Sequence, residues 1–199
     1  MTQNEHKPLI VELAKLFKPK VYVELGVGTG YVFNTIFPYV KNYMFGVDIN
    51  LDKYKSMYDE CPPHMPGEYI KKENQYYKSV QVIQRSTDEA AKLWPRNLAI
   101  DLLFIDADHS ADQVRKDFIT WSKFVTPGTG LILLHDTYPC GPKYLNPGYC
   151  NDAWRVADLI WGIESEDDYD YEIVTLPGPR AGLSIIRKRG EHHLHWMER

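Results

Sequence analysis

The sequence predicts an α/β fold whose core is a doubly wound, mostly parallel seven-stranded sheet ending in a C-terminal antiparallel hairpin. Three observations lead to this prediction. Five short β-rich runs alternate with segments of helical periodicity between residues 21 and 136. The run DLLFID at 101–106 is nearly all apolar, as expected of a strand covered by helices on both faces. The short turn PGPRAG joins the last two strands and favours a hairpin over a crossover.

The first half of the chain supplies a lead-in helix and two β-α units. Apolar residues at helical spacing run up to the breaker Lys18-Pro19. The runs VYVEL and YMFGVD are short and rich in β-forming residues. The predicted elements are helices at 7–17, 31–37 and 51–60 and strands at 21–25 and 43–48.

The second half continues the alternation and then departs from it. Ser86 can cap a helix, and Glu89 completes the capping box. Residues 68–78 carry no clear pattern, and a loop rich in Pro, Gly, Tyr and Cys covers 137–151. The predicted strands are 80–84, 101–106, 131–136, 171–176 and 183–187, and the predicted helices are 87–93, 111–124 and 153–163.

The composition predicts one domain over residues 1–199, with a frayed tail at 190–199. A formal charge of -4 offers no positive field to a phosphate backbone, so nucleic acid is not expected as a partner. No apolar run approaches the roughly 18 residues of a membrane span, and MTQNEHKPLI lacks the layout of a secretory signal. We expect no membrane association and a cytoplasmic location.

Three cysteines, Cys61, Cys140 and Cys150, form neither an even disulfide framework nor a CxxC metal motif. Free thiols are the simplest interpretation. Pairing of Cys140 with Cys150 across their Gly/Pro-rich loop is the alternative in an oxidising compartment.

A nucleoside-binding site is predicted beyond the first two strands. Glu24 and the glycines Gly26, Gly28 and Gly30 follow the first strand, where bare backbone lets a ligand approach. Asp48 closes the second strand, at the distance where an acid accepts ribose hydroxyls. A lone GxGxG also suits a plain turn, but the two acids placed with it favour a ligand.

A nicotinamide-dependent oxidoreductase is the alternative enzyme, because its fingerprint also pairs glycines with a distant acid. Tyr31 stands where that fingerprint requires its last glycine. An acidic Glu24 beside the turn would repel a pyrophosphate and suit a cation instead. Both features argue against NAD.

The motifs ELGVGTG, GVD, DLLFIDADHS and LLHDT, in that order, resemble the class I S-adenosylmethionine-dependent methyltransferases over residues 18–190. The similarity is greatest to small-molecule O-methyltransferases acting on catechol, caffeoyl-coenzyme A and sugars. It implies a Rossmann-like fold, with the methionine part of S-adenosylmethionine over residues 26–30 and its ribose on Asp48. It also implies cofactor contacts from Glu24, Asp106 and, at the adenine, Ser86 and Thr87, although Arg85 stands where many relatives carry an acid.

Acidic and imidazole side chains are predicted to converge at the ends of the fourth and fifth strands. Asp106 and Asp136 are hard oxygen ligands that suit Mg²⁺. The resemblance implies metal binding by Asp106, Asp136 and the next residue, which is Thr137 here instead of the usual asparagine. If no metal binds, His109 or His135 is the candidate general base beside Asp106.

The acceptor is expected to be a small hydroxylated molecule, such as a sugar or a phenol. The loop 137–151 leaves from the proposed metal strand, and its tyrosines Tyr138, Tyr144 and Tyr149 can stack on a ring. The resemblance also implies a homodimer as one form of the protein. A catalytically silent protein that binds S-adenosylmethionine is the alternative from a different class.

Overall fold

The computed structural model describes residues 6–52, 69–71, 77–138, 171–177 and 182–189. Several predicted features lie outside these ranges: nearly all of the helix at 51–60, the helix at 153–163, the tail at 190–199 and the three cysteines. Of the loop at 137–151, only Thr137 and Tyr138 are described. No described helix has the length and apolarity to cross a membrane.

The described helices and strands follow the predicted order closely. The helices are α1 (Lys7–Phe17), α2 (Tyr31–Ile36), α3 (Thr87–Leu93) and α4 (Ala111–Trp121), with 3₁₀ turns at Phe37–Tyr39 and Ser122–Phe124. The strands are β1 (Val21–Leu25), β2 (Tyr43–Asp48), β3 (Tyr69–Lys71), β4 (Tyr77–Gln84), β5 (Leu102–Ile105), β6 (Leu131–His135), β7 (Tyr171–Leu176) and β8 (Leu183–Lys188).

The sheet has the order β3-β4-β2-β1-β5-β6-β8-β7. Strands β4, β2, β1, β5 and β6 are parallel, while β8 pairs antiparallel with both β6 and β7. The doubly wound sheet and its C-terminal hairpin are therefore confirmed. The segment without a clear pattern adds a short eighth strand, since β3 pairs antiparallel with the start of β4.

Two predicted strands end one residue early, at Ile105 and His135. Asp136 has φ +60°, a left-handed conformation that stops the extended backbone of β6. Asp106 and Asp136 are thus the first residues beyond their strands, in the turns that leave the sheet. Asp48, by contrast, is the last residue of β2, as predicted.

Helices cover both faces of the central strands. On β5, Leu102 and Phe104 face the cluster that contains α1 and α2, while Leu103 and Ile105 face the cluster that contains α3 and α4. All four side chains are buried, as the apolar run DLLFID predicts. The arrangement leaves the edge formed by the carboxyl ends of the parallel strands for ligand binding.

The chain reverses its direction of winding at β1. From β1 it proceeds to β2 and β4 on one side, and then returns to β5 and β6 on the other. The strand order therefore reverses at β1, and open α/β sheets bind ligands beyond the carboxyl ends of the strands near such a point. The predicted motifs after β1, β2, β5 and β6 all lie at this edge.

Candidate active site

The glycine-rich segment 26–30, here called the elbow, carries the chain from β1 to α2. Gly26, Gly28 and Gly30 have φ of +86°, +54° and +73°, which favour glycine at all three positions. A Cβ on Gly26 would lie 2.1 Å from the carbonyl oxygen of Asp106, so the elbow touches the end of β5 directly. A Cβ on Gly28 would meet nothing within 4 Å, so open space adjoins the middle of the elbow.

Asp48 joins the tip of β2 to the elbow. Its Oδ2 accepts the backbone N–H of Gly28 at 2.8 Å, and its Oδ1 accepts the backbone N–H of Asn50 at 2.8 Å. Each carboxylate oxygen can accept about two hydrogen bonds, so both keep acceptor capacity for a further donor. The carboxylate is half-buried beside the open space at Gly28.

Glu24 is buried, with 2% of its surface exposed. Tyr22 donates its hydroxyl proton to Glu24 Oε2 at 2.6 Å. Burial raises the pKa of Glu24 to about 8, because the effect of desolvation outweighs the hydrogen bond from Tyr22, which lowers it. The predicted acid beside the elbow is present, but its carboxyl group is largely protonated at neutral pH until a cation approaches.

Two acids and two histidines meet where β5 and β6 end. Nδ1 of His109 lies 2.5 Å from Asp136 Oδ2, and Nδ1 of His135 lies 3.2 Å from Asp106 Oδ1 and 3.0 Å from Asp136 Oδ1. The exposed fractions of the side chains fall from 40% at His109 to 5% at Asp136. His109 therefore lies at the mouth of the cluster, and Asp136 at its base.

The charges in this cluster set one another's protonation. Burial alone would lower the pKa of His135, but Asp106 and Asp136 together raise it to about 10. The hydrogen bond to Asp136 raises the pKa of His109. Burial opposes ionisation of Asp136, yet the two histidines hold its pKa well below the ordinary range. His135 is consequently a cation at neutral pH.

A metal ion could be held by Asp106, His109 and Asp136, whose potential ligand atoms all lie within 4.8 Å of one another. Thr137 has different surroundings from those implied by the resemblance. Its hydroxyl accepts a hydrogen bond from Ser184 Oγ at 2.7 Å, and the residue is 2% exposed. The structure thus places the hydroxyl of Thr137 between β6 and β8 and brings His109 to the two acids instead.

The hydroxyls expected at the adenine are engaged within the protein. Ser86 caps α3 and forms the predicted capping box with Glu89. Thr87 donates its hydroxyl proton to Asp117 Oδ1 of α4 at 2.5 Å. The position beyond β4 is as predicted, but both hydroxyls form hydrogen bonds with acidic side chains of the protein.

Two site-lining residues come from a segment that the sequence analysis treated only as a lead-in helix. The ring of His6 lies 6.2 Å from the ring of His135, and Nζ of Lys7 lies 4.0 Å from the centroid of the Tyr31 ring. Helical periodicity predicts α1 itself, but no local pattern indicates which end of it reaches the site.

A family model described as a methyltransferase domain matches residues 23–137, more than half of the chain. This range contains the elbow, Asp48 and all four members of the acid and histidine cluster. No curated protein matches the chain.

The fold is similar to that of many solved structures. One is an O-methyltransferase from Bacillus cereus in complex with S-adenosylhomocysteine (SAH), at 14% identity and a TM-score of 0.65, covering 95% of this chain and 83% of that one. Another is TomG from Streptomyces achromogenes, an O-methyltransferase involved in tomaymycin synthesis, in complex with S-adenosylmethionine (SAM). It has 15% identity and a TM-score of 0.65, and the match covers 96% of this chain and 82% of that one. An SAH-bound methyltransferase from Podospora anserina has 14% identity and a TM-score of 0.66, with 96% and 80% covered.

Proposed function

This chain belongs to the methyltransferase-domain family, and we propose that it transfers a methyl group from SAM to a hydroxyl group of a small molecule such as a sugar or a phenol. The observation that carries the proposal is the meeting of the elbow, Asp48 and the acid and histidine cluster at one edge of the sheet. Solved O-methyltransferases of the same fold, bound to SAM or SAH, support this cofactor and reaction type.

The cofactor site is assigned to the elbow and its neighbours. SAM supplies an electrophilic methyl group on a positively charged sulfur. The open space at Gly28 suits the methionine part, and the remaining acceptor capacity of Asp48 suits the two ribose hydroxyls. Asp106 adds an acidic group that favours a cation over a pyrophosphate, and Glu24 can ionise when a cation approaches.

If no metal binds, His109 is the proposed general base among the two histidines. Asp136 holds its Nδ1, which leaves Nε2 as the ring nitrogen that can take the proton of a substrate hydroxyl. His135 is protonated at neutral pH because its pKa is about 10. It therefore stabilises the anion of Asp136 and does not serve as a base.

A divalent cation fits the same cluster. The two carboxylates of Asp106 and Asp136 suit a hard ion such as Mg²⁺, and the imidazole of His109 is an acceptable third ligand. When bound, such an ion lowers the pKa of a substrate hydroxyl. We assign the ligands to Asp106, His109 and Asp136, since the hydroxyl of Thr137 is engaged by Ser184.

Calorimetry tests the cofactor. SAM and SAH should bind, and NAD should not. Binding of NAD without binding of SAM would overturn the proposal in favour of the oxidoreductase.

A screen of sugar and phenol acceptors with labelled SAM tests the reaction. Repeating the screen with EDTA assigns the role of His109. If EDTA abolishes turnover and added Mg²⁺ restores it, His109 is a metal ligand. If turnover is complete under chelation, His109 is the base. SAM binding with no methylation of any hydroxylated acceptor would favour the catalytically silent protein.

A further inference from the structure

Lys7 occupies a defined position beside the elbow. It is the first residue of α1, and α1 is packed into the core through Ile10 and Ala14, both 0% exposed. Its Nζ lies 4.0 Å from the centroid of the Tyr31 ring. Tyr31 begins α2 directly after Gly30, so Lys7 contacts the side chain of the first residue beyond the elbow.

Among the described residues, the acidic groups around the elbow match only part of the cofactor. Asp48 and Asp106 are acidic and suit the sulfonium and the α-ammonium of SAM, but they would repel its α-carboxylate. The two histidines of the nearby cluster already face Asp106 and Asp136. Lys7 is a cation close enough to the elbow that its charge acts on Glu24, lowering a pKa that burial raises.

We propose that Lys7 binds the α-carboxylate of the methionine part of SAM, while the face of Tyr31 holds the ammonium group in place. The inference rests on the proposed function, because it assigns one contact within that cofactor site. The contact between Lys7 and Tyr31 is a weak cation-π interaction, so the ammonium group can add a charge-assisted hydrogen bond to a carboxylate without losing a strong partner.

The test compares two ligands that differ only in this carboxylate. Calorimetry measures the affinity of SAH and of its decarboxylated analogue S-adenosyl-3-thiopropylamine for the wild type, Lys7→Met and Lys7→Arg. Lys15→Met is the matched control, since Lys15 lies on the same helix with its Nζ 5.5 Å from the centroid of the Tyr39 ring. Thermal unfolding checks that each variant folds.

We expect SAH to bind the wild type about tenfold tighter than the analogue, the scale of one charge-assisted hydrogen bond. In Lys7→Met this ratio should fall to about one, through weaker binding of SAH alone, while Lys7→Arg and Lys15→Met should keep it. If folded Lys7→Met still binds SAH about tenfold tighter than the analogue, the inference is wrong. It is also wrong if the substitution weakens the binding of both ligands equally. Failure of the wild type to bind SAH overturns the proposed function itself.

Discussion

Asp48 accepts the backbone N–H of Gly28 at 2.8 Å, and this bond fixes the end of β2 against the elbow that follows β1. The two residues are 20 positions apart in the chain. Their contact brings the acid proposed for the ribose to the space proposed for the methionine part. The cofactor site is therefore built across two neighbouring strands.

Replacing Asp48 with alanine should weaken binding of SAH by about 1–3 kcal/mol, because a pair of hydrogen bonds to a charged group is lost. Calorimetry measures the change. Asp52→Ala is the matched control, since Asp52 is an exposed acid four residues further on. An unchanged dissociation constant in Asp48→Ala would show that the ribose binds elsewhere.

Alanine at Gly26 and at Gly28 should have different effects. At Gly26 the new Cβ would collide with the carbonyl oxygen of Asp106, so the free energy of unfolding should fall by about 3 kcal/mol or more. At Gly28 only the left-handed backbone opposes alanine, at about 1 kcal/mol, but the methyl group enters the open space and should weaken SAH binding. Urea unfolding and calorimetry separate the two results. Equal stability of the two variants would contradict this assignment.

Glu24 should make the stability of the protein depend on pH. Its pKa is about 8 when folded and about 4.5 when unfolded, so the folded state binds the extra proton between these values. The free energy of unfolding should therefore fall as pH rises from about 4.5 to 8, by up to about 4 kcal/mol from this group.

The variant Glu24→Gln keeps the shape but cannot ionise, so its stability should fall less over the same window. Urea unfolding of both proteins at pH 6 and pH 8.5 measures the difference. Parallel pH profiles for the wild type and Glu24→Gln would mean that Glu24 is already ionised at neutral pH.

The substitution His109→Gln should lower kcat by a factor of about 10²–10⁴, whether His109 acts as a base or as a metal ligand. The affinity for SAH should change little. In the role of base, neutral His109 is the active form, so kcat should rise with pH through a pKa above the ordinary 6.5. Asp108→Asn is the neighbouring control, because Asp108 caps the turn at Ser110. A full kcat in His109→Gln would remove it from the mechanism.

Thr137→Val should destabilise the protein by about 1 kcal/mol, because the buried hydroxyl of Ser184 loses one hydrogen bond but keeps its bond with Thr175. Thr137→Ser should restore most of this loss. Urea unfolding measures both variants, and the response of turnover to EDTA should be the same in both as in the wild type. A Thr137→Val variant of normal stability with an altered EDTA response would return Thr137 to the metal site.

Local patterns predicted most of the fold because the determining contacts span few residues. The capping box at Ser86 depends on a partner three positions away, and the apolar run at 101–106 reflects burial on both faces. The strand β3 was missed, since three residues are too few to show an alternating pattern. The early end of β6 was missed because it depends on the left-handed backbone of Asp136.

By itself the sequence determined the order of strands and helices, the family motifs and the edge of the sheet at which they lie, because periodicity and turn residues act locally. Only the tertiary structure decided which polar groups meet: His109 pairs with Asp136, the hydroxyl of Thr137 accepts a bond from Ser184, and Glu24 is buried. It also brought Lys7 to Tyr31, 24 positions away. Such contacts depend on how helices pack on the sheet and on single backbone torsions at strand ends. A local sequence pattern predicts neither the packing nor the torsions.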